Sequence, residues 1–144
     1  MTATAAFRRD VQALQDIFAF TSDAFAREHI APDLKADVDF VLEELFTNVV
    51  KYGRPGESPV RVDLTKVPGG VEVTLTEDDA DRFDPTDTPD VDTTLAIGRR
   101  VPGGLGLYLI RRLVDSLEYR YDEERRQARI TFRKTLAAVE NGRG

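Results

Sequence analysis

Glu44 and Asn48 stand four residues apart in a run whose apolar positions, Leu34, Val38, Val41, Leu45 and Val49, recur at helical spacing. At 100° per residue the two lie about 40° from one another on the border of the apolar stripe, whereas Glu43 points to the solvent side. A carboxylate and a carboxamide at the edge of a core are costly unless something bonds to them. Two kinds of partner would serve: neighbouring protein groups, or a ligand accompanied by a metal ion. Further on, Pro102-Gly103-Gly104-Leu105-Gly106-Leu107 puts three glycines within four residues just where helical periodicity begins. Glycine lets backbone amides come close to a ligand, and a helix start adds unpaired N–H groups and the positive end of the dipole, so this stretch suits a phosphate. A plain loop leading into a core helix would carry the same residues. A third cluster, Glu77-Asp78-Asp79-Ala80, offers carboxylates to a cation but lacks the regular oxygen spacing of hard-cation loops.

The elements that must hold these residues follow from pattern. Thr2 to Ala6 carry little periodicity and read as a frayed start. Val11, Leu14, Ile17, Phe18 and Phe25 predict an amphipathic helix from about Arg9 to His29, with His29, the one histidine, ending it at the surface. Pro32 suits the opening of the next helix, which carries Glu44 and Asn48 and ends near Tyr52-Gly53. Val60, Val62 and Leu64 alternate with polar residues, Pro68-Gly69-Gly70 turns the chain, and Val71, Val73 and Leu75 alternate again, which predicts an antiparallel hairpin delivering Asp78 to its end. Residues 84–102 have prolines, threonines and acids without periodicity; a loop of that length in a compact domain is a lid or binding segment more often than a spacer. The helix after the glycines runs to about Asp115, with Leu109, Ile110, Leu113 and Val114 as its buried face. Leu117, Tyr119 and Tyr121, then Ala128, Ile130 and Phe132, alternate as two closing strands, and the tail from Leu136 extends as a short helix before fraying. Four mostly antiparallel strands covered on one face by about three helices make a two-layer α+β sandwich, one domain over residues 1–144.

Composition narrows the function. The formal charge of −6 argues against a general nucleic-acid binder, which needs a basic surface. Charge is uneven, with eight acids against one arginine from Glu77 to Asp92 and eleven basic against six acidic residues from Arg99 onward. That basic portion suits phosphates or an acidic partner. No apolar run approaches the roughly 18 residues needed to span a membrane, and no secretory signal is evident, so a soluble cytoplasmic protein is expected. The absence of cysteine removes disulfides, thiol catalysis and thiolate metal sites.

With those pieces in order, the chain from about Asp10 to Lys134 resembles the GHKL ATPases, and within them the small anti-sigma-factor serine-protein kinases of the RsbW and SpoIIAB type. Glu44-Leu45-Phe46-Thr47-Asn48-Val49-Val50-Lys51 is similar to the family's helical N-box, Asp78-Asp79-Ala80-Asp81-Arg82-Phe83-Asp84-Pro85 to its adenine box, and Gly103-Gly104-Leu105-Gly106-Leu107 to the box that closes the lid over the phosphates. The resemblance implies a Bergerat-type ATP-binding fold with residues 84–102 as the ATP lid. It implies Glu44 as general base, Asn48 as the Mg²⁺ ligand, Asp78 as acceptor for the adenine amino group, and Ala80, Gly103, Gly104, Leu105, Gly106 and Leu107 around the nucleotide. A single amide oxygen is sufficient protein contact for a nucleotide-bound Mg²⁺, which keeps several waters.

The implied activity is transfer of the γ-phosphate of ATP to a serine of a small STAS-type anti-anti-sigma protein, with sequestration of a sigma factor when that antagonist is phosphorylated. Homodimers are common in the family, and direct nucleic-acid or membrane binding is not expected. His29 lies outside the N-box and no phosphoacceptor helix precedes the domain, which argues against a self-contained histidine kinase. The chain departs from the family at Ala80, where the adenine box normally has glycine. If the site needs positive φ or close backbone approach there, a methyl group costs about 1 kcal/mol or more and weakens nucleotide binding. The alternative reading is therefore a partner-switching binding module with a degenerate nucleotide site.

Overall fold

The computed structural model describes residues 2–52, 58–82 and 104–136. They form strand β1 (Thr2–Phe7), helices α1 (Leu14–Glu28) and α2 (Lys35–Tyr52), strands β2 (Val60–Val67) and β3 (Gly70–Glu77), helix α3 (Gly104–Leu113) and strands β4 (Ser116–Asp122) and β5 (Gln127–Thr135). The strands make one antiparallel sheet in the order β1-β2-β3-β5-β4. The result is the expected two-layer α+β sandwich, with five strands in place of four.

The fifth strand is β1. Its alternation is between alanine and threonine, Ala3 buried and Thr2 and Thr4 exposed, which is too small a contrast in hydropathy to register as period 2. Pairing with β2 makes it a strand: Phe7 opposes Val60, the Thr2 and Thr65 hydroxyls meet at 2.7 Å, and Thr4 Oγ1 donates to Asp63 Oδ1 at 2.6 Å. The segment read as frayed thus closes one sheet edge. At the β2–β3 turn, Pro68 and Gly69 occupy the central positions, and Gly69 takes φ 77°, the conformation a type II turn demands at its third residue.

Every strand turns alternate side chains toward the helices. Val60, Val62, Leu64, Val71, Val73, Leu75, Ile130 and Phe132 meet Ile17, Ala24 and Phe25 of α1 and Val38, Val41, Leu42, Leu45 and Phe46 of α2 in one core. Helix α1 starts later than predicted, because Asp10 caps a short 3-10 helix (Val11–Ala13) by accepting from the Gln12 N–H. It ends as expected at His29, an exposed left-handed C-cap with φ 58°. A second 3-10 helix, Pro32–Leu34, leads into α2.

Helix α3 turns inward the face the sequence suggests, except at Leu109. Leu107 and Ile110 are buried while Leu109 is 39% exposed; Leu113 and Val114 pack against the core edge as expected. With apolar residues at 105, 107, 109 and 110, the first turns offer no polar contrast from which to read a face. The predicted lid, Gly53, Gly103 and the tail beyond Leu136 fall outside the described residues. Among the described residues no helix is long and apolar enough to cross a membrane.

Candidate functional site

The inner border of α2 carries Glu44 and Asn48, both half-buried, where the helical spacing put them. Neither side chain hydrogen-bonds or ion-pairs with any described residue. Helix α3 comes directly against Glu44. A Cβ placed on Gly106 would lie 1.9 Å from Glu44 Oε1 and 2.9 Å from its Cδ, so only a residue without a side chain lets the two helices meet while the carboxylate stays where it is. Burial raises the pKa of Glu44 above the ordinary carboxylate value and neighbouring Glu43 adds to the rise, while Lys51 partly opposes it. A carboxyl group perturbed in that direction is a candidate proton acceptor.

Asp78 belongs to a second cluster, built at the exit of β3. Its Oδ1 accepts a 2.9 Å hydrogen bond from Gln127 Nε2 at the start of β5, and the carboxylate is otherwise exposed. Its backbone is fixed from below by Arg9. That guanidinium donates to Ser58 O at 2.7 Å, Glu77 Oε2 at 2.7 Å and Asp78 O at 3.0 Å, with only 8% of the Arg9 side chain and 13% of the Glu77 side chain exposed. One buried ion pair thereby ties the end of β1, the entry to β2 and the end of β3 into a single support. Nothing in the sequence marks Arg9 for this role; a lone arginine ahead of an amphipathic helix reads as surface.

The chain then bends back over the β4–β5 turn. Asp79 takes φ 51°, Ala80 N–H donates to Arg126 O at 2.8 Å, and Ala80 O accepts from the Tyr121 hydroxyl at 2.6 Å. Arg126 reaches Asp81 at 2.8 Å and Asp79 at 3.4 Å. Ala80 itself is outside the left-handed region and its methyl is fully buried. The anticipated strain at Ala80 is therefore absent, because the left-handed residue of this bend is Asp79, one position earlier. Asp81 is held by Arg126.

Leu107 is buried under α3, which makes it a packing residue in this structure. Gly104 opens α3 and Leu105 follows it; Gly103 lies outside the described residues. Two clefts, of about 690 and 360 Å³, involve the β4–β5 end of the sheet and the α1–α2 junction, and neither includes Glu44, Asn48 or Asp78. No group of three acidic or histidine ligands that could hold a metal occurs among the described residues. Asn48, whose amide oxygen bonds no described residue, is the side chain that the sequence reading assigns to a phosphate-bound metal.

Comparison with known proteins agrees with this layout. The RsbU and RsbW domains of Rv1364c from Mycobacterium tuberculosis share the fold, with a TM-score of 0.64 at 14% sequence identity; the match covers 94% of this chain and 32% of that one. The chain thus spans about a third of that solved structure. No curated protein matches the sequence. Residues 7–134 match the model of the histidine kinase-like ATPase domain, which takes in both helices of the candidate site and the whole sheet apart from most of β1. The chain belongs to the histidine kinase-like ATPase domain family.

Proposed function

We propose that this domain is an ATP-dependent serine-protein kinase that also sequesters a sigma factor, phosphorylating a STAS-type anti-anti-sigma antagonist in a partner-switching pathway. The observation that carries the reading is the pair Glu44 and Asn48, half-buried on α2 with no described protein partner, with Glu44 seated against Gly106 of α3. Family membership supports ATP as the nucleotide, and the fold shared with an RsbW domain supports the partner-switching role.

In this scheme Asp78 accepts a hydrogen bond from the adenine amino group, which selects adenine over guanine, and Gln127 and Arg9 hold it in place. Asn48 supplies the one protein oxygen to Mg²⁺. Bound with the nucleotide, that ion would offset the charge of the phosphates. The amides of Gly103, Gly104 and Gly106 stabilise charge moving between phosphate oxygens. Glu44 takes the proton from the attacking serine hydroxyl as the γ-phosphoryl group passes to that oxygen and ADP leaves. Residues 84–102 close over the phosphates as the lid, and the working location is the cytoplasm.

The alternative, a binding module with a degenerate nucleotide site, rests on Ala80 and its charged neighbours Asp81 and Arg82; the positive φ at Asp79 and not at Ala80 argues against backbone strain at Ala80, which is one of its grounds. Incubating the full chain with a STAS-domain antagonist and Mg-ATP, then weighing the antagonist, tests the proposal. The antagonist should gain one phosphoryl group on serine, and Glu44→Ala should abolish the gain while nucleotide binding persists. An antagonist whose mass never changes at any nucleotide concentration would overturn it.

A further inference from the structure

Helix α3 carries a second face beyond the one that meets Glu44. Among the described residues three large apolar side chains are more than a third exposed: Val11, Leu109 and Leu136. Leu136 sits by the β2–β3 turn, where its N–H bonds Gly69 O, at the opposite end of β3 from Asp78. Val11 opens the 3-10 helix ahead of α1. Leu109 alone belongs to the helix that packs on the Glu44 carboxylate, one turn on from Gly106.

Positions three apart on a helix are surface neighbours, so Leu109 borders Gly106 on one side and Arg112 on the other. Arg112 is exposed, and its guanidinium lies over the Tyr108 ring, 4.7 Å from the centroid. Stacked in that way it keeps its in-plane N–H donors available, and no carboxylate among the described residues meets them. By contrast Arg9, Arg27, Arg61, Arg120, Arg126 and Arg133 each face an acid. Helix α3 itself contains no acidic residue. It is also held at both ends. Its first turns press on Glu44, and at the far end Lys134 of β5 donates to Leu113 O at 2.6 Å and pairs with Asp37 of α2 at 3.3 Å. A surface held in this way loses little conformational freedom when a partner lands on it.

We propose that Leu109, Tyr108 and Arg112 form the docking surface for the protein substrate of phosphotransfer, which meets Leu109 with an apolar side chain and Arg112 with a carboxylate. This assignment rests on the kinase reading above. A folded protein that brings a serine hydroxyl to Glu44 covers roughly 800 Å² of this domain, a disc about 16 Å in radius. Arg112 lies about 9 Å along α3 from Gly106, so the whole turn from Tyr108 to Arg112 falls inside that footprint. An exposed leucine beside an aromatic ring and an arginine has the make-up of an interface centre, and the arginine without an acid sets the charge of the partner.

The test uses the full chain and a STAS-domain antagonist in two measurements: transfer rates with Mg-ATP over a range of antagonist concentration, and calorimetric binding of the antagonist in a non-hydrolysable Mg-ATP analogue. Leu109→Ser and Arg112→Glu should each raise KM for the antagonist and weaken its binding by about tenfold, with kcat and the affinity for nucleotide near native. Arg112→Lys, which keeps the charge, should recover most of the loss. Leu136→Ser, which removes an equally exposed apolar group at the far end of the sheet, should change neither quantity. Binding that weakens in both variants while the native chain transfers no phosphoryl group supports the surface as a partner site and overturns the kinase reading. Transfer at native KM and binding at native affinity in both Leu109→Ser and Arg112→Glu overturns the surface and leaves the kinase reading standing. An antagonist that the native chain neither binds nor phosphorylates overturns both.

Discussion

Replacing Gly106 with alanine separates the stability of the α2–α3 contact from its chemistry. The new Cβ would fall 1.9 Å from Glu44 Oε1 and 2.9 Å from Cδ, while Cγ, at 3.5 Å, is already at ordinary contact distance. Only the carboxylate end must move, by about 1.5 Å, and a swing of that kind costs about 0.5–1.5 kcal/mol in rotamer strain. Alanine in place of a helical glycine returns about 0.5–1 kcal/mol. The two nearly cancel, so Gly106→Ala should change unfolding free energy by no more than about 1 kcal/mol in a denaturant titration. Catalysis should respond differently, because a displacement near 1 Å in a reacting group can cost on the order of 100-fold in rate. Phosphotransfer by Gly106→Ala should therefore fall by about two orders of magnitude with the fold intact. In a Glu44→Ala background the same glycine replacement meets no carboxylate and should stabilise the protein by about 0.5–1 kcal/mol. A loss above about 2 kcal/mol in the single variant, or transfer at the native rate, refutes the reasoning.

Three other outcomes follow from the described contacts. Glu44 has a folded-state pKa raised above its unfolded value, so its protonated form is favoured by folding; the associated stability is present below the unfolded pKa and is lost as pH rises through the folded one. Glu44→Gln should accordingly melt higher than the native chain at pH 7, with the gain shrinking toward about pH 4, and the acid limb of the native transfer rate should lie above the usual carboxylate value. Arg9→Met strands Glu77 in a nearly buried site and should cost about 3–5 kcal/mol by urea unfolding; a loss below about 1 kcal/mol would mean that Arg9 is not the support described. Ala80→Gly, which restores the glycine that the family's box carries, relieves no strain here and deletes a buried methyl, so it should destabilise the chain by about 1 kcal/mol, and a rise in Tm would contradict the bend geometry.

Legibility in the sequence depended on contrast. The border position of Glu44 and Asn48 followed from a clean polar–apolar period along α2, and the β2–β3 hairpin from alternation bracketed by Pro68-Gly69-Gly70. Strand β1 escaped notice because alanine and threonine differ little in hydropathy and because its evidence lies in a distant partner, 63 residues away in the Thr2–Thr65 pairing. The face of α3 was misjudged at Leu109 because leucines surround the helix start. The Ala80 expectation placed a backbone conformation by position in a motif, and the positive φ fell on Asp79 instead. Arg9 had no legible signal at all, since a buried ion pair is a property of three chain segments meeting and no local pattern announces it.

The central claim, that α2, α3 and the exit of β3 form an ATP site, is tested most directly by calorimetric titration of Mg-ATP and Mg-GTP into the full chain and into Asp78→Asn. The account predicts saturable binding of Mg-ATP by the native chain, much weaker binding of Mg-GTP, and loss of that preference in Asp78→Asn. No heat with Mg-ATP, or a preference for adenine unchanged in Asp78→Asn, would contradict it.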